Sequence, residues 1–102
     1  ALMNADALLQ AVTEKLTAVI DPETGVDVIR MRLIEDLTID EMGKATYSFR
    51  PSSPLCPIAV PLALMIIQAV GEVDGISAQS MTVVDYVEAD TLNLILQSIL
   101  EP

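Results

Sequence analysis

The chain has no histidine, no tryptophan and a single cysteine, Cys56, in 102 residues. Without histidine there is no Cys/His nucleophile pair of the papain kind, since the thiol has no imidazole base. One cysteine makes no internal disulfide and no Cys-x-x-Cys redox pair. Nor does it complete a structural zinc site or an iron–sulfur cluster, which normally take four ligands. Any metal or cluster at Cys56 therefore takes further ligands from carboxylates, small thiols, a second protomer or a partner. Aromatics are only Tyr47, Phe49 and Tyr86, 3% of the chain, so the core has to be aliphatic. Bases are scarce as well: five against fifteen acids, a net charge of −10. That balance argues against nucleic acid, which needs clustered Lys and Arg, and against an anionic membrane surface.

What the chain does have is apolar aliphatic content, with 52% hydrophobic residues. That composition and length predict one folded domain over residues 1–102. Ala1-Leu2-Met3-Asn4 lacks the basic and apolar segments of a signal peptide. The most apolar stretch, Pro54 to Val70, is broken by Pro57 and Pro61 and is short for a membrane span. The expectation is a soluble, cytoplasmic protein.

Asn4 to Ile20 reads as a helix capped by Asn4 or Asp6, with Leu8 or Leu9, Val12, Leu16 and Val19 on one side. Asp21-Pro22-Glu23-Thr24-Gly25 ends it. Leu33–Asp40 and Lys44–Arg50 read as two strands of a hairpin around Glu41-Met42-Gly43. A Pro/Ser loop, Pro51 to Pro57, leads to a second helix from about Pro57 to Val70. A third strand lies within Ile76 to Val87. For the segment after Asp90, the spacing of Leu92, Ile95, Leu96 and Ile99 suits a helix, and the alternation of Leu92, Leu94 and Leu96 suits a strand. With the helix, the order is α-β-β-α-β-α, an α+β fold of two layers: a small mixed sheet with helices packed on one face.

Three features carry candidate chemistry. Cys56, in Ser52-Ser53-Pro54-Leu55-Cys56-Pro57, is expected just ahead of a helix N-terminus, whose free N–H groups and partial positive charge favour a thiolate. Its plain alternative is an inert buried thiol. The Asp21-to-Gly25 turn explains itself as helix termination, while Asp21 and Glu23 also offer hard ligands near the Cys56 loop. Finally, the second helix is apolar nearly all round, with Gln68 its one polar residue between Ile58 and Val70. A two-layer domain covers one helix face, so Leu62, Met65, Ile66 and Ile67 are candidates for an interface with a second copy or a partner.

The order of these motifs resembles a known family. The Asp-Pro-Glu-x-Gly turn, the hairpin, the Ser-Pro-x-Cys-Pro loop and the following helix are similar to the iron–sulfur cluster assembly domains that include PaaD, SufT and the eukaryotic cytosolic cluster-targeting relatives. The resemblance spans roughly Leu8 to Val87. Cys56 matches the characteristic cysteine, and Asp21, Pro22, Glu23 and Gly25 match the acidic turn. Ser52 and Leu55 stand where the family commonly has Thr and Gly, and Arg30-Met31-Arg32-Leu33-Ile34 replaces its usual Asp-Leu-Gly-Leu-Val/Ile. The Pro-Trp segment that many members carry after the last strand is missing.

The resemblance implies an accessory factor in iron–sulfur cluster assembly or transfer to apo-proteins, not a catalyst of its own. In that role Cys56 is a transient ligand for iron or a cluster, Ser52 and Ser53 shape its loop, and Asp21 and Glu23 assist. The expected partners are a second copy of the chain and apo iron–sulfur client proteins or other assembly factors. The competing reading is a protein-interaction adaptor that docks through its apolar second helix, with Cys56 merely packed.

Overall fold

In the computed structural model, residues 4–100 are described; residues 1–3 and 101–102 of the expected domain lie outside them. Six elements follow in the order α1 (Ala5–Leu16), β1 (Ile34–Ile39), β2 (Lys44–Phe49), α2 (Ala59–Gly71), β3 (Ala78–Val83) and α3 (Ala89–Leu100). The sheet runs β1-β2-β3. β1 pairs antiparallel with β2, and β2 pairs parallel with β3. A parallel pair needs a crossover, which α2 supplies. The α+β, α-β-β-α-β-α arrangement is thus the one the sequence predicts.

α1 begins where Asn4 accepts the Ala7 N–H at 2.7 Å, an N-cap bond. Leu8, Val12 and Leu16, one helical turn apart, are buried. The helix ends earlier than predicted. The Thr17 N–H is shared between the Thr13 and Glu14 carbonyls, which tightens the last turn, and Ile20 instead forms an isolated bridge with Asp27.

Ala45, Tyr47 and Phe49 of β2 and Gln79, Met81 and Val83 of β3 point to the buried face, while Thr46 and Thr82 are exposed on the other. All three helices feed this core: Val12 and Leu16 of α1, Leu62 and Ile66 of α2, Leu92 and Leu96 of α3. Within it the Tyr47 hydroxyl donates to Gln79 Oε1 at 2.6 Å, and Gln79 Nε2 donates to the Ile67 carbonyl at 2.9 Å. β2, β3 and α2 are thereby joined by one relay of satisfied polar groups.

β1 carries an irregularity that periodicity does not reveal. Glu35 pairs with Ser48 and Thr38 with Thr46, so Asp36 and Leu37 face one residue, Tyr47. This is a β-bulge, and Asp36 sits at φ 56° within it, a conformation Asp tolerates better than most residues. The extra residue keeps Ile34, Leu37 and Ile39 all packed against the core despite their uneven spacing. At the hairpin tip, Asp40 Oδ1 accepts the N–H groups of Met42 and Lys44, both at 2.9 Å. Gly43, at φ 83°, closes the turn; a Cβ there would lie 2.3 Å from the Gly75 carbonyl oxygen.

The segment after Asp90 is helical. α3 starts at Ala89, which places Asp90 inside the first turn instead of at the cap. Val83 stands on the outer edge of β3, and Asn93 satisfies that edge on both sides. Its Oδ1 accepts the Val83 N–H at 2.7 Å, and its Nδ2 donates to the Val83 carbonyl at 3.0 Å.

Candidate functional site around Cys56

β2 ends at Phe49, and the chain passes through Arg50 into the loop that bears Cys56. The Arg50 N–H donates to the Leu33 carbonyl at 2.8 Å, which fixes the start of the loop. Ser53 then organises a tight turn: its Oγ accepts the Leu55 N–H at 3.3 Å, and its carbonyl accepts the Cys56 N–H at 3.2 Å. Cys56 is only 3% exposed. Its sulfur is approached by the Ser52 hydroxyl, which donates to Sγ at 4.0 Å.

Helix α2 starts later than the sequence suggests. Its first residue is Ala59 and its N-cap is Ile58, which makes no side-chain capping bond. Pro57 lies in a turn ahead of the helix, and Pro61 occupies the first turn, where its missing N–H costs nothing. Cys56 is therefore outside the first turn. Since the dipole's influence is concentrated in that turn, this placement weakens the predicted helix-end support for a thiolate.

The loop forms one wall of an open cleft of about 600 Å³. Arg50, Pro51, Ser52, Ser53, Pro54 and Leu55 make that wall, and Asp85, Tyr86 and Val87, just after β3, make the other. The walls touch at two points. The Val87 N–H donates to the Pro54 carbonyl at 2.8 Å. Arg50 Nη1 bonds Asp85 Oδ2, while Arg50 Nε reaches Glu35 Oε1 at 3.0 Å. The Glu35 hydrogen bond, followed by the charge of Asp85, raises the Arg50 pKa further above its ordinary value. Leu55 and Val87, 75% and 63% exposed, give the cleft an apolar rim.

Of the two serines, Ser52 reaches the Cys56 sulfur and Ser53 shapes the loop through Leu55 and Cys56. Asp21 and Glu23 lie in the turn that follows α1. Asp21 is 1% exposed, and its Oδ1 accepts the Glu23 N–H at 2.7 Å. Its main chain closes the turn through bonds with Val26 and Gly25. Glu23 is exposed. Among the described residues no three His, Cys, Asp or Glu side chains come together as a metal-binding group, so Cys56, Asp21 and Glu23 do not form a three-ligand set.

The predicted interface on α2 requires a correction at two positions. Leu62 and Ile66 are 1% and 0% exposed and belong to the core, and Ile67 is half-buried against it. Ala59, Ala63 and Ala69 are buried beside them, and these small side chains let the helix sit close to its neighbours. The outward apolar residues are Val60, Leu64 and Met65. Sequence reasoning also missed Arg50, Glu35 and Asp85. The available signal was a basic residue directly before the Pro/Ser loop, in a chain with only five.

The α+β domain thus carries its single thiol in the buried end of the loop whose residues Arg50 to Leu55 wall the cleft. The comparisons give the lineage. The family model for iron–sulfur cluster assembly proteins matches residues 9–83, and the chain belongs to that family. It is 28% identical over 86 residues to an uncharacterized protein of Methanocaldococcus jannaschii, covering 84% of this chain and 90% of that one. It is 35% identical over 54 residues, 53% of each chain, to the Fe-S protein maturation auxiliary factor YitW of Bacillus subtilis. A crystal structure of a DUF59 domain from Bacillus anthracis superposes with a TM-score of 0.72 at 30% identity, covering 78% of this chain and 76% of that one.

Proposed function

We propose that this chain is an accessory factor in iron–sulfur protein maturation, with Cys56 as the ligand that receives or presents iron or a nascent cluster. Family membership over residues 9–83 is the observation that carries this reading. The donor set supports a transient role. One sulfur with the Ser52 hydroxyl beside it cannot saturate iron alone, so a cargo ion bound here keeps positions open for a client's ligands. Ser52 and Ser53 shape the loop, and the buried Asp21 holds the acidic turn. In this reading the protein works in the cytoplasm as a homodimer or with apo-clients and other assembly factors. The outward residues of α2, Met65 with Val60 and Leu64, offer an apolar contact for such a partner.

The test is transfer of iron and sulfide to an apo-ferredoxin, followed by the client's visible absorbance under anaerobic conditions. The wild-type chain accelerates client maturation, and Cys56→Ser does not. Equal acceleration by both rejects the ligand role.

A second reading is favoured by the burial of the thiol: the chain is an adaptor and Cys56 packs the core. Under that reading Cys56→Ala keeps its activity in cells, while Met65→Asp on the outward face of α2 loses partner capture.

A further inference from the structure

Eight of the nine residues that line the cleft form a closed ring. It runs along the main chain from Arg50 to Pro54, crosses by the Val87 N–H to Pro54 carbonyl bond, returns through Tyr86 to Asp85, and crosses back by the Asp85–Arg50 ion pair. Leu55 continues the loop from Pro54, and Cys56 follows it. Pro51 and Pro54 fix φ at two positions and so stiffen this wall. Its first residue is Arg50.

We propose that Arg50 is the positioning residue of this site: its guanidinium, tied to Asp85 and Glu35, holds the cleft walls together and keeps the Cys56 thiol covered. Three observations converge on it. First, Arg50 joins all three strands at the end that carries the site: Glu35 in β1, itself directly after β2, and Asp85 just after β3. Second, with that pair broken, the Val87–Pro54 backbone bond at 2.8 Å is the one hydrogen bond left between the two walls among the described residues. Third, Asp85 holds φ 53°, so the turn that aims Tyr86 and Val87 at Pro54 is set by a residue whose side chain Arg50 grips. Single exposed ion pairs contribute little, but one arginine serving two carboxylates is a network, and here it joins the two walls. Both pairs are solvent-exposed, so added salt weakens them.

The consequence for the proposed function is regulatory. A thiol only 3% exposed presents iron only when the loop lifts, so opening the ion triad precedes ligand exchange at Cys56. This consequence rests on the carrier reading, whereas the gate itself is tested without iron.

The experiment is the alkylation rate of Cys56 by N-ethylmaleimide, a neutral reagent whose approach the −10 charge does not bias. It is measured on the full chain in low salt, in high salt, and in urea well below the unfolding midpoint. Wild type is expected to react slowly in low salt and several-fold faster in high salt. Arg50→Ala and Asp85→Asn should react several-fold faster in low salt and be insensitive to added salt, and Arg50→Lys should fall between. Local opening leaves these rates nearly independent of urea, whereas global unfolding gives the full denaturant slope. Asn4→Ala, which removes the N-cap bond of α1 and touches no ring residue, controls for general loss of stability. Wild-type rates in folded Arg50→Ala and Asp85→Asn would overturn the proposal. So would an increase carrying the full urea slope, or one matched by Asn4→Ala at equal stability.

Discussion

The Tyr47 hydroxyl donates to Gln79 Oε1 at 2.6 Å between two buried residues of adjacent parallel strands. Tyr47→Phe removes the donor and leaves the Gln79 oxygen buried without a partner. The expected loss is about 1–3 kcal/mol, the usual cost of such a group, with no change in Cys56 reactivity. Urea denaturation followed by circular dichroism measures it. A loss near zero would mean that water enters and satisfies the amide.

The same burial sets an alkaline limit. Desolvation pushes the Tyr47 phenol pKa well above its ordinary value. An unfolded tyrosine releases its proton near pH 10, while the folded chain keeps it. The unfolded state then binds fewer protons, so stability is full below about pH 10 and declines as pH rises above it. Thermal melts from pH 9 to 11.5 should show that decline in wild type and a weaker one in Tyr47→Phe. Parallel slopes would assign the decline to other groups.

At the sheet's outer edge, Asn93→Ala strips Val83 of both its N–H and C=O partners. Asn93 is half-buried, so water repairs part of the loss, and a cost of about 1–2 kcal/mol is expected. Hydrogen exchange should speed up at the Val83 amide first. Unchanged protection there would show that the Asn93 bonds do not hold this edge.

Two substitutions on α2 separate core from surface. Ile66→Ala opens a cavity beneath a fully buried position and is expected to cost about 2–5 kcal/mol. Met65→Asp, on the outward face, should leave the unfolding midpoint nearly unchanged. If the outward face holds a second copy, Met65→Asp lowers the sedimentation coefficient at micromolar concentration. Equal sedimentation of wild type and variant removes that face from the dimer proposal.

Most of the fold was legible because its signals are local. Asn4 capping α1, the Gly43 hairpin and the Tyr47/Phe49 alternation each write their geometry into a few neighbouring residues. What escaped depends on residues far apart in the chain. The β1 bulge needs Tyr47 opposite two residues, the burial of Leu62 and Ile66 depends on how closely the alanines of α2 let it dock, and the Arg50 triad joins positions 35, 50 and 85. In the candidate site, the Ser52, Ser53 and Cys56 grouping was readable because it lies within one loop. The tight-turn reading of Asp21 was readable too, but its burial was not, because that depends on how the turn packs against the rest of the fold.

The central claim is that Cys56 is a ligand for iron or a cluster in transit. The most direct measurement is iron retained per chain after anaerobic incubation with ferrous iron and sulfide, followed by desalting, for wild type and Cys56→Ser. The account predicts iron and visible absorbance on the wild-type chain and their loss in Cys56→Ser. Equal, negligible iron on both would contradict it.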